Sequence, residues 1–263
     1  MSEPRRFTHT EMVMGTAFCF DMRLPEENDA RSPSPLEAVS ACGRWLHRAN
    51  SIFTTYEPSS WVCRLGRGEV DAADGPPELA DVISLCHQLK GTTKGWFDPW
   101  GGPEHSFDPS GLVKGWAAQH VSEMLTAAGF IRHCINAGGD VVARGRPGGR
   151  KGWGVGVVHP LRRDGLCAVI EVCNESVATS GTAERGHHIW RPDGAAASEL
   201  ACVTVVHPDM VMADVYATAA FAMGPEAPLW LETVRTDALV VYPDGHQWSS
   251  PGFARRRTWP VKH

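Results

Sequence analysis

No two cysteines in this chain are spaced as CxxC, although eight are present, at Cys19, Cys42, Cys63, Cys86, Cys134, Cys167, Cys173 and Cys202. Several lie inside apolar runs, so buried free thiols fit them better than disulfides or a zinc site. The histidines offer no HExxH or comparable ligand spacing, which removes the other common zinc signature. There is no GxSxG, leaving Ser180 a weak candidate for a hydrolase nucleophile. A net charge of −5 without a long basic run argues against a general nucleic-acid binder. The opening stretch MSEPRRFTHTEMVMG lacks the apolar run of a signal peptide, and no later stretch is apolar for long enough to span a bilayer. The expectation is a cytoplasmic protein with no membrane span. Neither internal repeats nor low-complexity segments occur.

What is present is an ordinary globular composition: 263 residues, 43% hydrophobic and 21% charged. That length suits one large domain, 1–263, or two closely packed lobes. Arg255-Arg256-Arg257 reads as a solvated tail, and residues 1–10 and 255–263 as flexible ends.

The most informative stretch is FDPSGLVKGWAAQHVSEML, residues 107–125. Asp108, Pro109, Ser110 and Gly111 are turn formers, and Ala117, Ala118, Val121, Met124 and Leu125 then recur at helical spacing, with Gly129 as a stop. An acid, a hydroxyl, a glycine and Lys114 thus gather at one helix entrance, where free backbone N–H groups favour anions. The same residues also make an ordinary loop-to-helix junction.

Around it the chain alternates between the two kinds of element. Glu11–Leu24 reads as a strand interrupted at Met14-Gly15-Thr16 by a bulge or a close backbone approach. Ser34-Pro35-Leu36-Glu37 has the form of a capping box opening an amphipathic helix to Phe53. Tyr56 follows in a loop, where it either stacks on a ligand or simply packs. Pro77–Lys90 reads as a second helix. The loop Gly95–Gly102 carries Trp96, Phe97 and Trp100, which either wall a flat ring or pin the loop to the core. Cys134–Arg144 reads as a hairpin turning at Gly138-Gly139, and the basic loop that follows it as a solvated turn. Strands follow at Trp153–His159, Ala168–Val172, Ser176–Thr179 and Ala201–Val206. Asp209 caps a helix from Met210 to Met223. A short helix near Leu229–Val234, a strand at Ala238–Tyr242 and a turn at Asp244-Gly245 complete an α+β fold of mixed, largely antiparallel sheets packed with helices.

Two further groupings carry chemistry. Thr179-Ser180-Gly181-Thr182 offers hydroxyls to phosphate oxygens, though the same residues make structural turns, and His187-His188 beyond it supply a candidate base. Asp214 and Thr218 lie four apart, on one face of a helix otherwise made largely of Ala, Met, Val and Phe. A carboxylate there needs a partner: Mg²⁺, with its preference for oxygen, an arginine, or a solvent edge.

In order along the chain, MGT (14–16), GWFDP (95–99), DPSGLVKG (108–115), NAGGD (136–140), VATSGTAER (177–185), HIWRP (188–192) and ADVYAT (213–218) resemble the motifs of the ApbE family of flavin transferases. That resemblance implies the transfer of FMN from FAD to a threonine of a target protein, with release of AMP. It implies FAD contacts at Met14, Tyr56, Phe97, Asp98, Pro99, Asp108 and Lys114, and in the segment holding Thr179, Gly181 and Ile189. It also implies Mg²⁺, or Mn²⁺ in its place, held by the Gly111 carbonyl, Asp214 and Thr218. Ser180, Lys114 and His188 then fall near the transferred phosphate, His188 as a base. Water in place of the threonine would make the enzyme an FAD pyrophosphatase, and loss of chemistry would leave a flavin-binding protein. The chain departs from the family pattern at Arg191 and Gln119, each standing where relatives carry an acid, and in lacking a threonine before Gly194.

Overall fold

Glu11–Leu24 is not one interrupted strand. In the computed structural model, which describes residues 4–24, 33–102, 107–162, 164–181 and 189–259, the chain begins with a hairpin. Strands β1 (Arg6–Val13) and β2 (Thr16–Arg23) pair antiparallel along their whole length, from Arg6↔Arg23 to Val13↔Thr16. The reversal falls on Met14 and Gly15, whose φ values of 54° and 68° are those of a two-residue type I′ turn. Residues 6–10, expected in a loose end, therefore belong to an edge strand.

The hairpin opens an eight-stranded sheet in the order β1-β2-β3-β4-β7-β8-β9-β10, every pair of which is antiparallel. The remaining members are β3 (His133–Ala137), β4 (Asp140–Arg144), β7 (Glu175–Gly181), β8 (Cys202–His207), β9 (Asp237–Val241) and β10 (Gln247–Ser249). A second sheet of three strands, β5 (Trp153–Val158), β6 (Leu166–Val172) and β11 (Arg257–Trp259), runs in the order β11-β6-β5. Alternation decides what each face of the large sheet covers. Ala178, Val203, Val205 and Val240 join the core under the helices. Val177, Val206, Leu239 and Val241 join a second core shared with the small sheet. Covering both faces explains why β8 reads as an almost unbroken apolar run.

The helices are α1 (Pro35–Phe53), α2 (Trp61–Gly66), α3 (Pro77–Thr92), α4 (Ser110–Ala127), α5 (Met210–Met223), α6 (Ala227–Thr233) and α7 (Pro251–Arg256). The capping box is formed: Glu37 N–H donates to Ser34 Oγ at 3.3 Å, and Ser34 N–H donates to Glu37 Oε2 at 2.7 Å. Asp209 caps α5 through the Met212 N–H at 3.0 Å. Two six-residue helices, α2 and α7, escape sequence periodicity because neither completes two turns. Each is instead marked by a serine cap, Ser60 and Ser250. Helix α5 is buried at every position except Met212 and Thr218. It has no polar face because α4 and the large sheet leave it none.

Of the C-terminal arginines, Arg255 is exposed, but Arg256 is not part of a solvated tail. The Arg256 guanidinium bonds both Glu175 oxygens, at 2.6 and 2.7 Å, and Asp237 at 2.7 Å. One cation thereby ties α7 to β7 and β9, and β11 pairs with β6 directly after it.

Behind α4 lies a fully buried histidine. The Nδ1 of His133 lies 2.6 Å from the Phe130 carbonyl and its Nε2 lies 2.8 Å from Ser122 Oγ. With the carbonyl as acceptor, the proton sits on Nδ1 and the ring is neutral. Burial drives its pKa down from 6.5 to about 4, with the Arg144 charge helping and the Phe130 carbonyl opposing. The unfolded chain therefore takes up this proton before the folded one. Its stability contribution is complete above pH 6.5 and is lost as pH falls from there toward 4. Urea unfolding should show about 2 kcal/mol less stability at pH 5 than at pH 7 from this residue. His133→Asn should shrink the difference between the two pH values by that amount. An unchanged difference would remove His133 from the acid limb.

Candidate functional site

Two hairpin turns meet beside the entrance of α4. The β3–β4 turn is Gly138-Gly139, with φ of 58° and 98°, and Asn136 Oδ1 accepts the Gly139 N–H at 2.8 Å. A Cβ on Gly138 would lie 2.4 Å from Thr16 Oγ1, so only glycine lets this turn sit against the β1–β2 turn. The sequence placed a bulge or close approach at Gly15, but a Cβ there would meet nothing within 4 Å, and the tight contact is instead at Gly138.

The entrance of α4 is set by the loop before it. Asp108 Oδ1 accepts from the Ser110 N–H at 2.9 Å and from the Ser110 hydroxyl, while the Asp108 N–H donates to the Pro99 carbonyl at 2.8 Å. Phe97 is buried, held by its N–H to Thr93 Oγ1 at 3.1 Å. Asp98 pairs with Lys90 Nζ at 2.8 Å and accepts from the Trp100 N–H. The aromatics of this loop thus pin it to the core: Phe97 packs there, with Trp96 and Trp100 partly buried against it.

Two cavities flank the start of α4. The first, about 380 Å³, lies between β5 and the ends of β3, β4 and β7, with Gly111, Lys114, Thr179, Ser180, Gly181, Asp214 and Thr218 in its wall. Gly154 and Gly156 of β5 form the opposite side. The second, about 320 Å³, lies between the Met14–Thr16 turn and the end of α1, and includes Asn50 and Tyr56. Tyr56 is 89% exposed there, so it serves no core. Ser110, Lys114 and Gly138 line both cavities, which makes them the junction of one bipartite cleft.

The polar groups converge on that junction. Lys114 Nζ lies 2.8 Å from Asp140 Oδ2, and Asp140 Oδ1 accepts the Thr179 N–H at 3.0 Å. Ser180 Oγ and Thr218 Oγ1 are 3.0 Å apart, and Thr179 Oγ1 meets Thr204 Oγ1 at 2.9 Å. Asp214, 6% exposed, faces α4 across a gap that only glycine allows, since a Cβ on Gly115 would lie 2.8 Å from Asp214 Oδ2. One turn earlier, a Cβ built on Gly111 would lie 4.0 Å from Thr218 Oγ1. Asp214 and Thr218 thus face α4, at Gly115 and Gly111 respectively. Their donors are all oxygens, the chemistry that Mg²⁺ or Mn²⁺ prefers. Among the described residues no group of three His, Cys, Asp or Glu side chains could hold a metal, so a cation here would rest on one carboxylate, a hydroxyl and a carbonyl.

Not every expected contact reaches the cleft. Phe97, Asp98, Pro99 and Asp108 are absent from both cavity walls and shape the α4 entrance instead. The Ile189 side chain is packed in the core under the helices. His188 lies outside the described residues, with the rest of 182–188. The two departures from the family pattern have local partners. Gln119 Oε1 accepts from Arg144 at 3.0 Å and from the Met210 N–H at 3.3 Å, and its amide donates to Glu123. Arg191 pairs with Glu199 and Asp193. Sequence reasoning gave Asp140, the last residue of the NAGGD motif, no role, and it overlooked the glycine wall of β5. The signal for Asp140 was present: an acid directly after a Gly-Gly turn, opening a strand that is otherwise apolar up to Arg144.

The ApbE family model matches residues 100–240, more than half of the chain. An FAD:protein FMN transferase of Klebsiella pneumoniae is 29% identical over 168 residues, 57% of this chain and 47% of the relative. One from Treponema pallidum is 31% identical over 170 residues, again 57% and 47%. The chain thus spans about half the length of the curated relatives it matches. Flavin Transferase ApbE from Vibrio cholerae superimposes with a TM-score of 0.81 at 19% identity, over 96% of this chain and 99% of that one. The ApbE protein of Thermotoga maritima gives 0.81 at 21% identity, over 97% and 100%. No helix among the described residues is long and apolar enough to cross a membrane. With more than half of its length matched by that model, this chain is a member of the ApbE family.

Proposed function

We propose that this protein transfers FMN from FAD to a threonine hydroxyl of a target protein, releasing AMP. The observation that carries the reading is the bipartite cleft whose two halves join at Lys114, beside Asp214 and Thr218. FAD has the same plan: two nucleotide-like halves joined by a pyrophosphate. The flavin half fits the second cavity, where Met14 and the exposed Tyr56 offer an apolar surface and a ring face. The AMP half fits the first cavity, against the glycines of β5. The pyrophosphate then lies beside the Lys114 ammonium and the first turn of α4, both favourable to negative charge.

The reaction forms one bond and breaks one. The threonine oxygen attacks the phosphorus of the FMN half, the bond to the AMP phosphate breaks, and AMP leaves with the electron pair. The hydroxyl proton passes to a base, the role assigned to His188. Ser180, bonded to Thr218 Oγ1, holds that oxygen in position. Gly111, Asp214 and Thr218 would hold Mg²⁺, with Mn²⁺ the alternative, and a divalent cation there would lower the charge of the phosphates. The buried Asp214, on a helix with no other charge, supports this assignment.

The direct test mixes the protein with FAD, Mg²⁺ and threonine-bearing acceptor peptides and follows products by mass spectrometry. An FMN adduct on the peptide is the expected result. Free FMN with AMP would make the enzyme a pyrophosphatase, and unaltered FAD would leave only flavin binding. AMP release should stop in EDTA and return with Mg²⁺. Asp214→Asn should keep the fold and lose most activity, with partial recovery at excess metal; full activity of this variant in EDTA would end the metal assignment. His188→Ala should retain FAD binding, measured by flavin fluorescence, yet slow turnover by roughly 10²–10⁴. Unchanged turnover would pass the base role to another group.

A further inference from the structure

We propose that Asp140 is the positioning residue of this site. It holds the Lys114 ammonium at the junction of the two cavities and locks Lys114 to the strand that carries Thr179 and Ser180. The proposal rests on the transfer reading above for the meaning of that junction.

Asp140 is 1% exposed and opens β4 immediately after the Gly138-Gly139 turn. A carboxylate this buried ionises only if its oxygens are compensated. Both are: Oδ2 by Lys114 Nζ at 2.8 Å, Oδ1 by the Thr179 N–H at 3.0 Å. The two partners come from different elements, α4 and β7, which Asp140 therefore joins through the centre of the site. Lys114 is a long side chain with many rotamers, and it is 17% exposed. Fixing it costs entropy that a buried ion pair opposes. The consequences continue along β7. Ser180 follows Thr179 and meets Thr218 at 3.0 Å, so the strand that Asp140 registers also reaches the helix bearing Asp214. Removing Asp140 would release the cation and loosen the strand together.

Asp140→Asn separates these roles. Its carboxamide oxygen still accepts the Thr179 N–H, while its NH₂ faces the ammonium and cannot hold it. If Asp140 works through Lys114, Asp140→Asn and Lys114→Met should each lower kcat/KM for FAD cleavage by about 10–100-fold, roughly the scale of losing one positioned charge. The double variant should be no worse than the poorer single one, because both remove the same unit. Multiplying effects, or an Asp140→Asn within threefold of wild type, would overturn the proposal.

Thermal melting supplies a readout independent of activity. Lys114→Met leaves a buried carboxylate without its counter-charge and should lower the melting temperature by on the order of 5 °C. Adding Asp140→Asn should restore part of it. A double variant that melts lower than Lys114→Met would overturn the pairing. An inactive wild type would instead refute the transfer reading while leaving this melting test intact.

Discussion

The structure turns on a helix that has no outside. Packed between α4 and the large sheet, α5 is buried at all but two positions, and it still carries a carboxylate, Asp214. Burying an acid in such a place is costly unless something of opposite sign is part of the design. Its surroundings are shaped by close packing: Gly115 where α4 would otherwise collide with Asp214, Gly111 beside Thr218, and the Ser180 hydroxyl bonded to Thr218. Close approach of α4 and α5 is what converts two ordinary helices into the wall of a site.

A second charge device complements the first. Lys114 and Asp140 pair at 2.8 Å at the centre of the cleft. Both devices depend on backbone reversals that bring distant strands together. The two turns meet where Gly138 packs on Thr16, and Ser110, Lys114 and Gly138 line both cavities.

Residues that differ from the family pattern lie in supporting contacts. Gln119 joins α4 to Arg144 and to the start of α5 by accepting from both, and its amide also donates to Glu123, which a carboxylate could not do. Arg191 is balanced by acids of its own loop, Asp193 and Glu199, so its charge is answered locally.

Much of this was legible in the order of residues. Capping signals marked α1 and α5, and apolar periodicity marked α1, α3 and α4, because a cap or a face repeats its signal over three or four turns. The spacing of Asp214 and Thr218 put both on one helix face, and motif order pointed to the family. Local patterns misread Met14–Thr16 as an interruption, since a bulge and a hairpin turn use the same glycine and only pairing partners tell them apart. They also read Arg256 as solvated, because its acids, Glu175 and Asp237, are distant in sequence. Asp140 was given no role for the same reason: its meaning lies in Lys114 and Thr179, on two other elements. Local propensity and periodicity are properties of neighbours along the chain. A charge pair, a shared cavity wall and a glycine that permits contact are properties of neighbours in space, which only the folded structure decides.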